Sequence, residues 1–298
     1  MNIVAYGVNL KAGDEVVLTA HEHVSESMAW IYAAQQVGAK VIFVELDLNG
    51  STNFEKIVAA TSSKTKIIVF SHITCTTGLV LPVQNIAAWC RENKVYSCAD
   101  GAQSVGMIPV NLHELGVDFY ITCGHKWLFG PKETGILYIA ERNLNFLGGG
   151  YVGAYSDTMF DPKNKILELK KEASRYEYGT RNSALIVGLG KAVEFIEEIG
   201  IERIQARGVE LKTLLYNLIK DMPEVEIFTP SSLEFSASIL TFRLNTLEYK
   251  KAQKLLLTRY QIRIRCIYEN DIKGIRVSCA CYNSEKQIEL LAAALKEI

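Results

Sequence analysis

The sequence predicts an α/β protein, with a mostly parallel sheet flanked by helices and a smaller α+β domain at the C-terminal end. In the first half of the chain, short runs rich in β-branched residues alternate with segments of helical period, which is the order of a βαβ series. The last third contains several strand-like runs before a final helical segment. Because 298 residues exceed what one hydrophobic core usually serves, we predict a large domain over 1–200 and a small domain over 201–298.

Each element is predicted from its hydrophobic period. In the first half, strands are predicted at 16–19, 40–44, 66–71, 96–99, 119–122 and 135–139, and helices at 25–37, 53–60, 84–93 and 112–115. From 148 to about 181 the chain is rich in glycine and then polar, which is typical of an extended loop region. Beyond it we predict helices at 183–199 and 202–221, strands at 225–228, 237–243, 262–265 and 275–278, and a final helix from 284.

Charge and composition favour a small substrate over a macromolecule. The 32 basic and 33 acidic residues are interspersed, so no charged surface is expected to attract nucleic acid or a membrane. The N-terminus lacks the features of a signal peptide and no apolar run approaches a membrane span, which predicts a cytoplasmic protein. The seven scattered cysteines are expected to be reduced thiols. No metal site is predicted, because Cys279 and Cys281 alternate on an apolar strand where packing is the commoner role.

A lysine at the end of a predicted strand is the first candidate for chemistry. The segment DFYITCGHKW (118–127) leads from a strand into a turn of small residues that presents Lys126. Partial desolvation at such a position favours the uncharged, nucleophilic amine, which suits chemistry on a carbonyl group. The alternative is a solvated surface lysine, and this segment alone does not decide between them.

An aspartate follows the neighbouring predicted strand. Asp100 stands at the carboxyl end of the strand at 96–99, the edge at which open α/β sheets bind ligands. A carboxylate there can keep a pyridine nitrogen protonated, so that the ring accepts electrons. Gln103 could donate a hydrogen bond to a ring oxygen. The alternative for Asp100 is the ordinary role of a helix N-cap.

Together these two segments resemble the class V aminotransferase and cysteine desulfurase family of fold-type I pyridoxal-phosphate (PLP) enzymes, and the resemblance extends over nearly the whole chain. It implies that PLP is the cofactor and that Lys126 forms a Schiff base with it. His23 matches the histidine that stacks on the cofactor ring, Asp100 the aspartate paired with the pyridine nitrogen, and Gln103 the residue that bonds the phenolic oxygen. The resemblance thus implies an enzyme that acts on an amino acid.

Other matching positions belong to the phosphate and the substrate. His125 resembles a phosphate ligand, and Cys123 stands where the family often has a serine near the phosphate. Thr180 resembles the threonine that reaches the phosphate of the partner subunit's cofactor, which implies a homodimer. Arg276 matches the arginine that binds the substrate α-carboxylate, and a bidentate guanidinium is the apt partner for that group.

The resemblance also implies a mechanism. Lys126, freed by the substrate, takes the Cα proton while the ring paired with Asp100 absorbs the electrons, and His23 could relay protons. Transamination, epimerisation and β-elimination all begin with this step, and the sequence does not choose among them. The turns at 126–131 and 180–182 look closest to the isopenicillin N epimerase-like branch.

Cysteine desulfuration is the alternative reaction. Desulfurases that resemble this chain carry a catalytic loop cysteine a few residues beyond the arginine that matches Arg265. Here the loop is short, Asn270 is close to the expected place, and Cys266 is predicted to lie on the strand. We therefore do not expect persulfide chemistry.

The start of the chain supports a third hypothesis about function. Residues 1–7 look like the middle of a helix that, in the family, follows a phosphate-binding loop, so we expect the family's N-terminal segment to be absent. A catalytically inactive, dimerising remnant of the fold is therefore the alternative from another class. Gly148, Gly150 and Gly153 match the dinucleotide fingerprint, but a polar loop rather than a helix is predicted after them, so nicotinamide binding is not expected.

Overall fold

A six-stranded sheet occupies the first half of the chain in the computed structural model, which describes residues 1–144, 147–148 and 151–298. Its strands are β1 (Glu15–Thr19), β2 (Lys40–Val44), β3 (Thr65–Ser71), β4 (Tyr96–Asp100), β5 (Phe119–Cys123) and β6 (Gly135–Ile139), in the spatial order β2-β1-β3-β4-β5-β6. Strands β1 to β5 are parallel, and β6 pairs antiparallel with β5 at one edge. The predicted α/β class with a mostly parallel sheet is confirmed.

Helices pack on both faces of this sheet. They are α1 (Asn2–Gly7), α2 (Val24–Val37), α3 (Asn53–Ala59), α4 (Val83–Glu92) and α5 (Leu112–Leu115). Side chains alternate along β1, so Val17 joins a core cluster with Ile57 of α3, whereas Val16 and Leu18 join a second cluster with Trp30 of α2. Burial on both faces is the reason that these strands are nearly continuous runs of apolar residues.

The rest of the chain adds a hairpin, four helices and a second sheet within the described residues. These elements are β7 (Asp157–Asp161), β8 (Ile166–Leu169), α6 (Ser183–Ile199), α7 (Ile201–Ile219), β9 (Val225–Ile227), β10 (Ile239–Leu244), α8 (Tyr249–Tyr260), β11 (Arg265–Ile267), β12 (Gly274–Ser278) and α9 (Glu285–Glu297). The second sheet is antiparallel, in the order β11-β12-β10-β9, and shares one core cluster with α7, α8 and α9. The domain division at residue 200, between α6 and α7, stays a prediction.

One short segment joins the two sheets. Residues 74–80, here called the connecting segment, follow β3 and run past the second sheet. The carbonyl oxygens of 75–77 accept hydrogen bonds from the side chains of Arg276 (2.6 Å), Thr241 (2.7 Å) and Thr229 (2.5 Å). These bonds satisfy buried backbone acceptors and hold the second sheet against the carboxyl edge of the first.

The region predicted to be an extended loop contains a hairpin instead. Strands β7 and β8 pair antiparallel, and their apolar side chains are largely exposed, including Phe160 and Leu167. Neither face of this hairpin is buried within the chain, so its sequence lacks the alternation of apolar and polar residues by which strands are predicted. The prediction of a loop here was wrong.

Two predictions in the last third also need correction. Helix α8 was not predicted, because it buries little apolar surface: Ala252 and Leu256 are its buried residues, while lysines dominate its exposed side. The strand predicted at 262–265 begins later, at Arg265. The amide of Ile262 donates to the carbonyl of Leu256 (3.0 Å), which ends the helix and removes that amide from the strand ladder.

The structure also bears on a membrane-spanning helix and on the dinucleotide fingerprint, neither of which is expected from the sequence. No helix in the described ranges combines the length and apolar character needed to cross a bilayer. Of the glycines that match the dinucleotide fingerprint, Gly150 lies outside the described residues. A turn and then β7 follow Gly153, so no helix begins at the last glycine of that pattern.

Candidate active site

The candidate site is a cavity of about 290 Å³ between the carboxyl edge of the first sheet and the second sheet. The chain segments after β1, β4 and β5 supply one wall, and β11, β12 and the residues after β12 supply the other. Its lining residues are His23, Gln103, His125, Lys126, Trp127, Phe129, Arg265, Arg276, Ser278, Ala280 and Tyr282. Among the residues predicted for the site, His23, Gln103, His125, Lys126 and Arg276 are therefore brought together here.

A larger cavity, of about 470 Å³, lies elsewhere. It is lined mainly by apolar residues such as Val105, Pro109 and Leu128, and no lysine, arginine or histidine is among its lining residues. The smaller cavity combines cationic, titratable and aromatic side chains, which is the composition expected of an active site.

Lys126 is presented by a tightly bonded turn after β5. The amide of Gly124 donates to the carbonyl of Thr134 (3.0 Å), and the amide of Gly130 donates back to the carbonyl of Gly124 (2.8 Å). A Cβ atom at Gly124 would lie 2.1 Å from Oγ1 of Thr134, so this close approach requires glycine. The turn leaves Lys126 half-buried at the cavity and His125 exposed beside it.

Asp100 ends β4 next to the cavity, although it is not among the lining residues. Its Oδ1 accepts from the amide of Ala102 (2.8 Å), as an N-cap residue would, but a series of turns follows rather than an α-helix. A Cβ at Gly101 would lie 2.0 Å from the ring of Tyr120, so the chain can turn immediately after Asp100 only with glycine there. The carboxylate is thereby held at the edge where the parallel strands end.

Gln103 is oriented by an indole. Its Oε1 accepts from Nε1 of Trp127 (2.8 Å), and Gln103 is only 4% exposed. Because an indole nitrogen can only donate, the oxygen of the amide is the atom that faces Trp127. The amide nitrogen of Gln103 is left to act as a donor, as the sequence analysis expects.

His23 caps α2 and is held in one tautomer. Its Nδ1 accepts from the amide of Ser25 (3.2 Å), so in the neutral ring the proton is on Nε2. Burial lowers the pKa of His23, and the positive charges of Lys126 and Arg265 lower it further. His23 is therefore neutral near pH 7.

Two arginines lie side by side on the opposite wall. Arg265 of β11 and Arg276 of β12 are direct cross-strand partners, so their side chains point to the same face. Burial, and then repulsion from Arg265, lowers the pKa of Arg276 to about 10, which leaves it charged at neutral pH. The Nε of Arg276 is buried and has no hydrogen-bond partner within the described part of the chain, whereas Arg265 is paired with Glu269 at 2.9 Å.

Other predicted residues do not line the cavity. Cys123 is half-buried at the end of β5, where burial raises the pKa of its thiol and the charge of Lys126 opposes that rise. Thr180 is exposed in the single chain and is not among the lining residues. The Sγ of Cys266 points toward the carbonyl of Tyr249 in α8 (3.6 Å), on the other side of β11 from Arg265.

Comparison with known proteins assigns the chain to one family. Residues 1–291 match the family model described as Aminotransferase class-V. The chain belongs to the class V aminotransferase family. The narrower isopenicillin N epimerase-like branch stays a prediction.

Curated relatives in this family carry the name cysteine desulfurase. The chain is 28% identical to a probable cysteine desulfurase of Methanothermobacter thermautotrophicus over 316 residues, which covers 100% of the chain and 76% of the relative. It is 31% identical to a probable cysteine desulfurase of Halalkalibacterium halodurans over 255 residues, which covers 82% of the chain and 59% of that relative.

Solved structures agree with the sequence relatives. The apo cysteine desulfurase of Thermococcus onnurineus superposes with a TM-score of 0.89 at 26% identity, covering 99% of this chain and 76% of that one. A cystine C–S lyase in complex with its product cysteine persulfide superposes with a TM-score of 0.91 at 27% identity, covering 100% and 78%. A variant of the same lyase has been solved with glycine covalently linked to its PLP cofactor.

Sequence reasoning missed several residues of this class V site. Arg265 and Glu269 were not predicted as site residues, because the predicted strand began three residues too early and the register of β11 with β12 was unknown. The role of Trp127 in orienting Gln103 depends on a contact between separate segments. Trp127 follows Lys126 directly in the sequence, which was a reason to consider it, but only the fold shows that its partner is Gln103.

A pair of buried carboxyl groups lies behind the site. Glu22 and Glu26 are each 3% exposed. The carboxylate of Glu22 accepts from the amide (2.9 Å) and the hydroxyl (2.6 Å) of Ser71, and from the hydroxyl of Thr19. The side chain of Glu26 adjoins that of Glu22 and receives no hydrogen bond from any other residue in the described ranges. Burial, then the charges of Glu22 and Asp100, raise the pKa of Glu26 well above its ordinary value of 4.5.

This pair predicts a defined pH dependence of stability. Because folded Glu26 keeps its proton at pH values where the unfolded chain has lost it, the folded state binds more protons, and the free energy of unfolding falls as pH rises above about 4.5. Glu26→Gln should remove this contribution, so that the free energy of unfolding of the variant rises relative to that of the wild type between pH 5 and pH 8. Urea unfolding at both pH values measures the difference. The exposed Glu289→Gln serves as control, and a pH-independent difference for Glu26→Gln would contradict the assignment.

Proposed function

We propose that the chain holds PLP on Lys126 and catalyses a reaction of an amino acid that begins with removal of its Cα proton. One observation carries the proposal: the half-buried Lys126 shares a 290 Å³ cavity with Arg276, whose buried Nε has no partner in the described part of the chain. An amine and a guanidinium that line one cavity suit the covalent attachment of an aldehyde cofactor and the binding of the carboxylate of an amino acid. PLP dependence is the common property of the class V family.

The residues present fit the cofactor. Gln103 retains its amide nitrogen as a donor because Trp127 occupies its oxygen, which suits a phenolate oxygen. The Oδ2 of Asp100 makes no hydrogen bond within the described residues and can accept from a pyridinium N–H. Burial raises the pKa values of Glu22 and Glu26, which lie behind Asp100. His125 and Cys123 are the proposed phosphate ligands within the chain.

The chemistry divides between cofactor and protein. When bound, PLP supplies an electron-withdrawing ring that stabilises negative charge at Cα. Lys126 would hold the cofactor covalently, and its Nζ would take the Cα proton of the substrate. Asp100 keeps the proton on the pyridine nitrogen. His23, neutral and held by Ser25, keeps the ring plane in place and offers Nε2 for proton relay.

Arg276 is the proposed carboxylate ligand. Its Nη1 is fixed by the carbonyl of Cys75 at 2.6 Å, so the guanidinium is oriented before the substrate arrives. Because Arg276 also lines the cavity, the same guanidinium can bind a carboxylate placed there. An oriented guanidinium loses little entropy when it binds its ligand.

For the outcome of the reaction we favour β-elimination from a substrate with a leaving group on Cβ. No cysteine is among the residues that line the cavity, and Cys266 points into the α8 side of β11. Elimination needs no protein thiol, since the leaving group departs into solution. The similarity to a cystine C–S lyase supports this outcome. Cysteine desulfuration is the second candidate, supported by the names of the curated relatives.

We also propose that the chain works as a homodimer in which Thr180 contacts the phosphate in the partner's cavity. Large apolar side chains are exposed on elements near the site, among them Met28 (64%), Phe160 (66%) and Val187 (64%). In a homodimer these side chains could be buried against the partner subunit. Sedimentation velocity at micromolar concentration should give a mass near twice 33.2 kDa. A monomer at all concentrations, with PLP added, would contradict the proposal.

The attachment residue can be tested by substitution. Wild-type chain titrated with PLP should develop a visible absorption band that borohydride reduction fixes to the peptide containing Lys126. Lys126→Ala should lose the band while keeping the wild-type far-ultraviolet circular dichroism, because the covalent bond and not the fold is removed. Lys132→Ala, an exposed lysine six residues away, is the matched control and should keep the band. A band that survives in Lys126→Ala would overturn the assignment.

A further inference from the structure

Glu269 is the one carboxylate paired with a cation of the cavity wall in the described part of the chain. Its Oε1 accepts from Nη2 of Arg265 at 2.9 Å, and its side chain is 10% exposed while that of Arg265 is 34% exposed. Its Oε2 accepts from the amide of Tyr268 at 3.1 Å. The carboxylate is therefore fixed on both oxygens and largely shielded from water.

The loop between β11 and β12 holds this carboxylate in place. Three residues that are not glycine, Asn270, Asp271 and Lys273, have positive φ angles of 51°, 54° and 48°. Such conformations are disfavoured for residues with a side chain, so they persist only where the surrounding structure requires them. Here they form a tight connection that keeps Glu269 beside the cavity.

The contact between Glu269 and Arg265 sets the net charge of the cavity wall formed by β11 and β12. Arg265 and Arg276 face the same side as cross-strand partners, and without an anion they would present two adjacent positive charges. Glu269 neutralises Arg265, and the three side chains together carry a single net positive charge. That charge matches one carboxylate. Burial dominates the lowered pKa values of both His23 and Arg276, and Glu269 opposes it at each, which places the carboxylate within electrostatic range of the cavity.

We infer that Glu269 is a specificity-determining residue: by occupying Arg265, it excludes amino acids that carry a carboxylate directly on Cβ, at the position of an aspartate side chain. This inference rests on the proposed function, since it assumes that Arg276 binds the α-carboxylate. Removal of the charge of Glu269 frees Arg265 for a second anionic group and also removes the repulsion between Glu269 and that group.

Two isosteric probes that lack an amine separate binding from catalysis. Succinate carries two carboxylates, and succinamate carries one carboxylate and one neutral amide of the same shape. Their dissociation constants for the PLP-loaded chain are measured by NMR titration, which requires no turnover. Glu269→Gln keeps the shape of the side chain and removes its charge. The matched control is Glu226→Gln, which removes the carboxylate of the Arg243 ion pair in the same sheet, away from the cavity.

The expected result is a change for one probe only. Glu269→Gln should bind succinate at least about tenfold more tightly than the wild type, with a change of less than about threefold for succinamate. Glu226→Gln should leave both constants unchanged. An unchanged ratio of the two constants in Glu269→Gln, with succinamate still bound, would overturn the inference while leaving the carboxylate site intact.

Failure of the proposed function gives a different pattern. Arg276→Gln should weaken succinamate by about tenfold or more, because a charged partner of the carboxylate is lost. If Arg276→Gln has no effect on succinamate, Arg276 is not the carboxylate ligand, and the proposed function and the inference both fall.

Discussion

The hydrogen bonds from the second sheet to the connecting segment, residues 74–80, are the contacts on which the site depends. Three consecutive carbonyl oxygens accept hydrogen bonds from the side chains of Arg276, Thr241 and Thr229. These bonds fix the position of the second sheet relative to the first. The cavity is the space left beside these bonds. Arg276 makes one of these bonds and also lines the cavity. The bond that helps to join the two sheets therefore also orients the proposed ligand of the substrate carboxylate.

The distribution of charge across this cavity follows from where each element ends. Carboxyl groups gather behind the carboxyl edge of the first sheet, where burial raises the pKa values of Glu22 and Glu26, and Asp100 stands in front of them. Cations come from the opposite wall, as Arg265 and Arg276, and from the turn after β5, as Lys126. The carboxyl groups on one side of the cavity favour a protonated ring nitrogen there, and the cations on the other side favour a carboxylate. Neutral His23 adds an aromatic surface without adding to the positive charge.

Much of the fold could be predicted from the sequence, since the strands of the first sheet are buried on both faces and carry unbroken apolar runs. Lys126 and Asp100 were predicted as site residues for the same reason: each stands at or just after the end of such a strand, and the ends of parallel strands share an edge. The hairpin β7–β8 and helix α8 were missed because the chain buries little of either. Arg265 and Glu269 could not be found, because their role depends on the register between β11 and β12, which no local pattern encodes.

The central claim is that this cavity activates the Cα proton of an amino acid. Proton NMR of l-alanine in deuterium oxide tests it directly, since alanine has an uncharged side chain and no leaving group on Cβ, and exchange reports the first step alone. The PLP-loaded wild-type chain should replace the Cα proton by deuterium well above the rate with free PLP, and Lys126→Ala should lose that excess. No excess exchange by the wild type, or equal exchange by Lys126→Ala, would contradict the account.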